Sequence, residues 1–210
     1  MARVELGSLA APYRPVRRLP PALLALPALA AARALPADGV GLYLRLAAAT
    51  AVVLIPGALL ARALVLPGAA PALALSLAAL SASLVVTFVV HGSLWLTLAA
   101  LGVVAVGALV PAVRVETRRP PVVWVGVLVA GAAFGVALWH VAGQVQGDGL
   151  FHLARVRKLE AFDNLSLRTL DEFRDGGLHP GYAFPLWHGF LALVARLADV
   201  DPTQVVLHEP

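Results

Sequence analysis

Residues 63–113 read ALVLPGAAPALALSLAALSASLVVTFVVHGSLWLTLAALGVVAVGALVPAV, 51 consecutive positions without an Asp, Glu, Lys or Arg. Soluble domains carry about one charged residue in four, and no globular core removes a run of this length from water. A helix crosses the roughly 30 Å hydrocarbon layer with about 20 apolar residues. The run therefore holds two such helices, 69–90 and 93–113, separated at His91-Gly92 and preceded by a break at Pro67-Gly68.

The same pattern extends in both directions. Residues 120–147 form a second run of 28 without a charge, which contains a third segment, 121–142. Upstream, 41–64 is interrupted only by Arg45 and Arg62, both close to its ends. Across the whole chain 60% of residues are hydrophobic and 13% charged, with a mean hydropathy of +0.85. These values predict an all-α integral membrane protein, a multi-spanning helical bundle with an outer-face loop containing short interfacial helices. Pro56-Gly57 marks a kink or the end of a half-helix, because Pro removes a backbone donor. Gly131 and Gly135 stand at the spacing that lets two membrane helices approach closely, a spacing that common membrane-helix glycines also produce by chance.

Four divisions follow: a basic leader over 1–18, a transmembrane region over 19–143, an outer-face loop over 144–182, and a re-entering apolar helix with a truncated end over 183–210. The transmembrane region has four strong spans and one weak one. The weak one, 19–35, contains Pro20, Pro21, Pro27 and Arg33 and follows Arg14, Arg17 and Arg18. It reads as a signal peptide, a short span or an interfacial helix; its prolines make a poor secretory core, so the expectation is that it is retained.

Charge sets the orientation. Arg114, Arg118 and Arg119 lie between the third and fourth strong spans, and loops rich in Arg and Lys stay in the cytoplasm. The fourth span then runs outward, and the segment after Gln144 begins on the outer face of the plasma membrane. The chain's pI of about 10.3 does not imply nucleic acid as a partner. Its 15 Arg and one Lys are scattered between apolar blocks instead of forming the basic patch that a phosphate backbone requires. With no Cys, disulfides and thiolate metal sites are excluded. The chain also lacks a P-loop, GxGxxG, HExxH and GxSxG, so nucleotide hydrolysis, dinucleotide redox and the familiar hydrolase chemistries have no footing.

Nine of the 12 acidic residues lie between Asp148 and Glu209. The run from Gly147 to Glu160 reads as a helix of three to four turns, with Phe151, Ala154, Leu159 and Phe162 resting on lipid or neighbouring spans and its charges facing water or a cavity. A second short helix is expected over 166–174. Asp148, the first charge after a span, suits a helix N-terminus. It reads either as a cap at the water interface or as a carboxylate at a cavity mouth, placed to act as a general base or to hold a divalent cation. His152 follows one turn on and Arg155 a further turn along nearly the same face. A carboxylate, an imidazole and a guanidinium in a row suit an anionic phosphate substrate whose acceptor hydroxyl must be deprotonated. Arg155, Arg157 and Lys158 equally suit lipid headgroups. His179 lies in the turn His179-Pro180-Gly181-Tyr182, which can fold over such a cavity. His188 reads as packed or headgroup-facing, and His91 as solvated. No metal ligand set is assigned.

The run Asp148-Gly149-Leu150-Phe151-His152-Leu153-Ala154-Arg155, followed by His179-Pro180-Gly181-Tyr182-Ala183-Phe184-Pro185-Leu186-Trp187-His188, resembles the first outer loop of the GT-C type glycosyltransferases. The resemblance covers 144–210, under a third of the chain. Two departures matter: four or five spans precede the loop where many relatives have one, and Gly149 stands where many carry a second acidic residue. The second departure bears more on metal binding than on a general base. The resemblance implies an enzyme that takes sugar from a polyprenyl-phosphate donor to an outer-face acceptor. Asp148 and His152 would be catalytic, with Arg155, Arg157 and His179 on the substrate. Membrane lipid and the polyprenyl-phosphate donor would be its partners. Such enzymes need more spans than 210 residues supply, so the sequence is expected to be an N-terminal piece of a longer protein. The competing class is a non-enzymatic multi-spanning protein, a transporter subunit or assembly factor. Transport would call for ionisable residues well inside the spans, and these are absent.

The arginine asymmetry makes a direct prediction in a chain without Cys. Asn164→Cys in intact cells should react with a membrane-impermeant thiol reagent and Thr117→Cys should not. The reverse pattern would invert the orientation.

Overall fold

The computed structural model describes residues 21–115, 126, 129–131, 133–135, 145–166 and 185–208. Among these there is no strand. A 3-10 turn, Pro21–Leu24, leads into α1 (Ala25–Arg33), followed by α2 (Gly39–Ala63), α3 (Ala69–Val89) and α4 (Leu94–Arg114). After the partly described stretch come α5 (Asp148–Phe162), α6 (Leu186–Ala198) and α7 (Pro202–His208).

Three helices, α2, α3 and α4, are long and apolar enough to cross a membrane. At 1.5 Å per residue, 25 residues reach about 37 Å and 21 about 32 Å. Their bounds fall within two residues of the spans expected at 41–64, 69–90 and 93–113. Leu73, Leu77, Val86, Trp95, Val103 and Val106 of α3 and α4 are exposed. Helices that show this much apolar surface on their outer faces belong in an apolar medium. The fourth expected span, 121–142, lies largely outside the described residues, although those described within it are helical. The expected short helix over 166–174 lies outside them almost entirely.

α2 is the central helix, packed against α1, α3, α4 and α6. It runs through Pro56 without a break, so no half-helix ends there. Gly57 serves the crossing with α3: a Cβ on it would fall 2.0 Å from the backbone nitrogen of Ser76. At the same crossing the Ser76 hydroxyl lies 2.6 Å from the Leu54 carbonyl of α2. At the far end of α3, Thr87 donates to the Ser83 carbonyl (2.9 Å), so the buried Thr97 hydroxyl of α4 must donate to Thr87 (2.8 Å). Small residues and hydroxyl pairs of this kind hold apolar helices together where burial alone has little to gain.

Each end of α2 carries an arginine spent on carbonyls. Arg62 donates from Nε to Ala112 (2.7 Å) and from Nη2 to Val115 (3.1 Å), closing the C-terminus of α4. Arg45 is buried. Its Nη1 donates to the carbonyls of Ala198 (3.3 Å) and Asp199 (3.2 Å) at the end of α6, and its Nη2 to those of Arg33 (2.9 Å) and Leu35 beyond α1. A cation at the unpaired carbonyls of two helix C-termini also meets the negative ends of both dipoles.

The segments around α5, α6 and α7 gather at the Arg45 end. Asp163 accepts from the backbone N–H of Leu94 (3.1 Å) and pairs with Arg196. Asn164 and Leu165 donate to the carbonyls of His91 and Gly92 in the α3–α4 turn. Arg114 stands at the opposite end of the bundle, after the full length of α4.

One expectation changes here. The region 183–210 contains two helices, and α6, at 13 residues, reaches about 20 Å, less than a crossing requires. It lies against the bundle end instead, with Gly189 on Leu84 of α3 and Arg196 over the Trp95 ring of α4. The described part of the weak segment 19–35 is likewise shorter than a span. It folds onto α2, with Leu29 in the shared core.

Because Arg45 satisfies four carbonyls, its removal should be costly. Arg45→Met leaves buried acceptors without partners, at about 1–3 kcal/mol for each group stranded. We expect a thermal midpoint lower by 5 °C or more in detergent, on the order of what a loss of a few kcal/mol produces in a protein this size, while Arg45→Lys should recover part of the loss. An unchanged midpoint for Arg45→Met would show that these bonds hold nothing.

Candidate functional site

α5 begins at Asp148, directly after Gly147, whose φ of +55° is a turn conformation that favours glycine. The helix buries Leu153, Val156 and Leu159 against the bundle. Of the residues expected to rest on lipid or on neighbouring spans, Leu159 is buried, Phe151 is half-buried, and Ala154 and Phe162 are exposed. Arg155, expected to face water or a cavity, is buried, 4% exposed, with its Cζ 5.6 Å from the centre of the Phe151 ring.

The expected pairing of Asp148 with His152 is present. The Asp148 side chain is 84% exposed, and its Oδ2 lies 3.7 Å from Nε2 of His152. No local pattern of residues marks what stands behind His152. Its Nδ1 lies 2.9 Å from Nε2 of His188, with the ring planes 25° apart. His188 belongs to the first turn of α6 and is buried. The only trace of this pairing in sequence is a histidine at the start of an otherwise apolar run, 36 residues from its partner.

Burial pushes the His188 imidazole down to about 4, helped by the nearby Arg155 cation and by His152. It is therefore neutral near pH 7. Asp148 lies beyond hydrogen-bond reach of His152, whereas the 2.9 Å contact between Nδ1 of His152 and Nε2 of His188 joins the two imidazoles, one ring donating and the other accepting. The result is a carboxylate–imidazole–imidazole line running from the surface inward.

The other expected residues are not brought to this line. Arg157 points elsewhere, with Nη2 on both oxygens of Asp201 (3.1 and 3.3 Å) and on the Thr203 hydroxyl (2.9 Å). Hydrogen bonds from Thr203, and then from Arg157, hold the Asp201 carboxyl below its usual range. His179 lies outside the described residues. Among the described residues no three His, Asp or Glu side chains are placed to hold a metal ion. The Arg155 cation beside the histidine pair also disfavours a dication there.

Comparison with protein-family models, with curated proteins and with solved structures finds no match to this chain.

The lowered His188 value fixes a pH dependence. An unfolded chain takes up the His188 proton near pH 6.5, the native state only near pH 4, so the unfolded state binds more protons between these values. The stabilisation is complete above pH 6.5 and is lost as pH falls towards 4, by about 3 kcal/mol over the window. Chemical denaturation in detergent at pH 7.0 and pH 4.5 should show a loss in the parent that His188→Leu largely abolishes. Equal pH slopes in the two proteins would refute this.

Proposed function

We propose that the chain is the membrane portion of a multi-spanning plasma-membrane glycosyltransferase. It would move a sugar from a polyprenyl-phosphate donor to an acceptor hydroxyl on the outer face, where α5 would lie. The observation that carries this reading is the Asp148 carboxylate, exposed at the start of a helix seated on one end of an apolar bundle and backed by His152 and His188. In the proposed step the acceptor oxygen forms a bond to the anomeric carbon as its proton passes to Asp148. The anomeric carbon–oxygen bond breaks, and polyprenyl phosphate leaves with the electron pair. His152 stands 3.7 Å from the carboxylate and is itself held by His188. Arg155 acts inward on His188, and Arg157, paired with Asp201, stands apart from the Asp148–His152–His188 line.

The charged residues of α2, α3 and α4 are Arg45, Arg62 and Arg114. Arg45 and Arg62 are bound to carbonyls at helix ends. No charge stands midway along these helices, which supports the enzyme over an ion-coupled transporter.

Membranes carrying the protein in its native context, given a radiolabelled polyprenyl-phosphate sugar, test both levels of the reading. Asp148→Asn should lose about 10²- to 10⁴-fold in rate with an unchanged thermal midpoint, because Asn serves a helix N-terminus about as well as Asp. A parental rate in Asp148→Asn would reduce Asp148 to a cap. Absence of transfer from every such donor in the parental membranes would sink the transferase reading itself.

A further inference from the structure

The register of α1 against α2 fixes the depth at which Pro21, the first described residue, stands. A Cβ on Gly41 would fall 2.1 Å from the Pro36 carbonyl oxygen, and Arg45 reaches the carbonyls of Arg33 and Leu35, so the turn between the two helices lies at the Arg45 end. From there α1 runs back along α2, with Leu29 in one core with Leu42, Leu46 and Ala49. Its nine residues descend about 14 Å. The four of the 3-10 turn add about 8 Å, which brings Pro21 level with Pro56. The side chains agree, because Leu23 and Leu26 line the same cavity as Val52, Ile55 and Pro56. From that level the Arg62 end of α2, at Ala63, is about 10 Å away and the opposite end, at Gly39, about 26 Å.

Arg14, Arg17 and Arg18 precede this point, and no Asp or Glu occurs from residue 6 to residue 37. At about 3.5 Å per residue when fully extended, the three residues from Arg18 to Pro21 cover the shorter distance. Even with the reach of a side chain added, they fall short of the longer one. A guanidinium stranded between the two ends would lie in hydrocarbon, where an unpaired charge is strongly disfavoured. We propose that the basic leader emerges at the Arg62–Arg114 end and is held there by anionic phospholipid headgroups, to which arginines beside a span are drawn. Residues 19–35 are then part of a retained crossing segment and not a removed signal. Arg62 is committed to the Ala112 and Val115 carbonyls, so the charge offered to the headgroups is the leader's own. None of this depends on the transferase reading or on which end of the bundle faces the cytoplasm.

Labelling with a membrane-impermeant thiol reagent in intact cells tests the emergence. Ser8→Cys should behave as Thr117→Cys does, just past α4, and opposite to Asn164→Cys, just past α5. Labelling of Ser8→Cys together with Asn164→Cys, or a mature chain whose mass lacks residues 1–18, would overturn it. The headgroup contact is read by energy transfer from a donor dye on Ser8→Cys to an acceptor dye on lipid headgroups. The purified protein sits in nanodiscs of phosphatidylglycerol or of phosphatidylcholine with identical acyl chains. Transfer should be higher in phosphatidylglycerol and fall to the phosphatidylcholine value in about 0.5 M salt, where the Debye length shrinks to a few ångströms. Arg14→Gln, Arg17→Gln and Arg18→Gln together should remove the same advantage and leave the thermal midpoint at its parental value. Equal transfer in the two lipids, or an advantage that survives salt or the triple replacement, would refute the contact. Sugar transfer enters none of these readouts, so the two readings fail separately.

Discussion

A guanidinium buried in an apolar bundle must find acceptors or forfeit several kcal/mol, and Arg45 finds them at two helix ends far apart in sequence. Four of its five N–H groups are used in this way, while its Nε has no partner among the described residues. No carboxylate takes part, so no second charge has to be desolvated. The arrangement fixes where α1 stops and where α6 stops, and the pairing of Arg33 with Asp199 (3.3 Å) follows from it at the surface. With α6 held, α5 is held through Arg196 and Asp163, and α7 through Arg157 and Asp201. The histidine line then rests on the same foundation, because its two halves lie on α5 and α6.

Charge-free length made α2, α3 and α4 legible, and the breaks between them were legible because Pro67-Gly68 and His91-Gly92 interrupt hydropathy at the right spacing. The same criterion misjudged α6. An apolar helix flanked by aromatic residues looks like a membrane segment in sequence, yet this one buries His188, Gly189 and most of its remaining residues against protein. Hydropathy reports that a helix avoids water and does not report what replaces the water. The two arginines of α2 were visible as charges near helix ends. Their partners were not, since a backbone carbonyl leaves no mark in a sequence.

The candidate site shows the same division. Asp148 and His152 are one helical turn apart, a relation that periodicity alone delivers. His188 arrives through tertiary packing and changes the surroundings of the pair, because a buried imidazole behind His152 takes its Nδ1 into a hydrogen bond. Arg155 shows where periodicity misleads: its position on the helix surface was right, but that surface faces inward, and a long side chain under Phe151 acts on a neighbouring ring instead of on solvent.

The distance in sequence between Arg45 and its carbonyl partners on α6, 153 and 154 residues, also sets an order of assembly. At about 5–20 residues per second of synthesis, on the order of ten seconds or more separate the appearance of Arg45 from that of Ala198. Of the four carbonyls that receive it in the folded chain, those of Arg33 and Leu35 are made before it and those of Ala198 and Asp199 only after this interval. The end of α1 thus supplies half of the Arg45 shell before α6 exists to supply the rest.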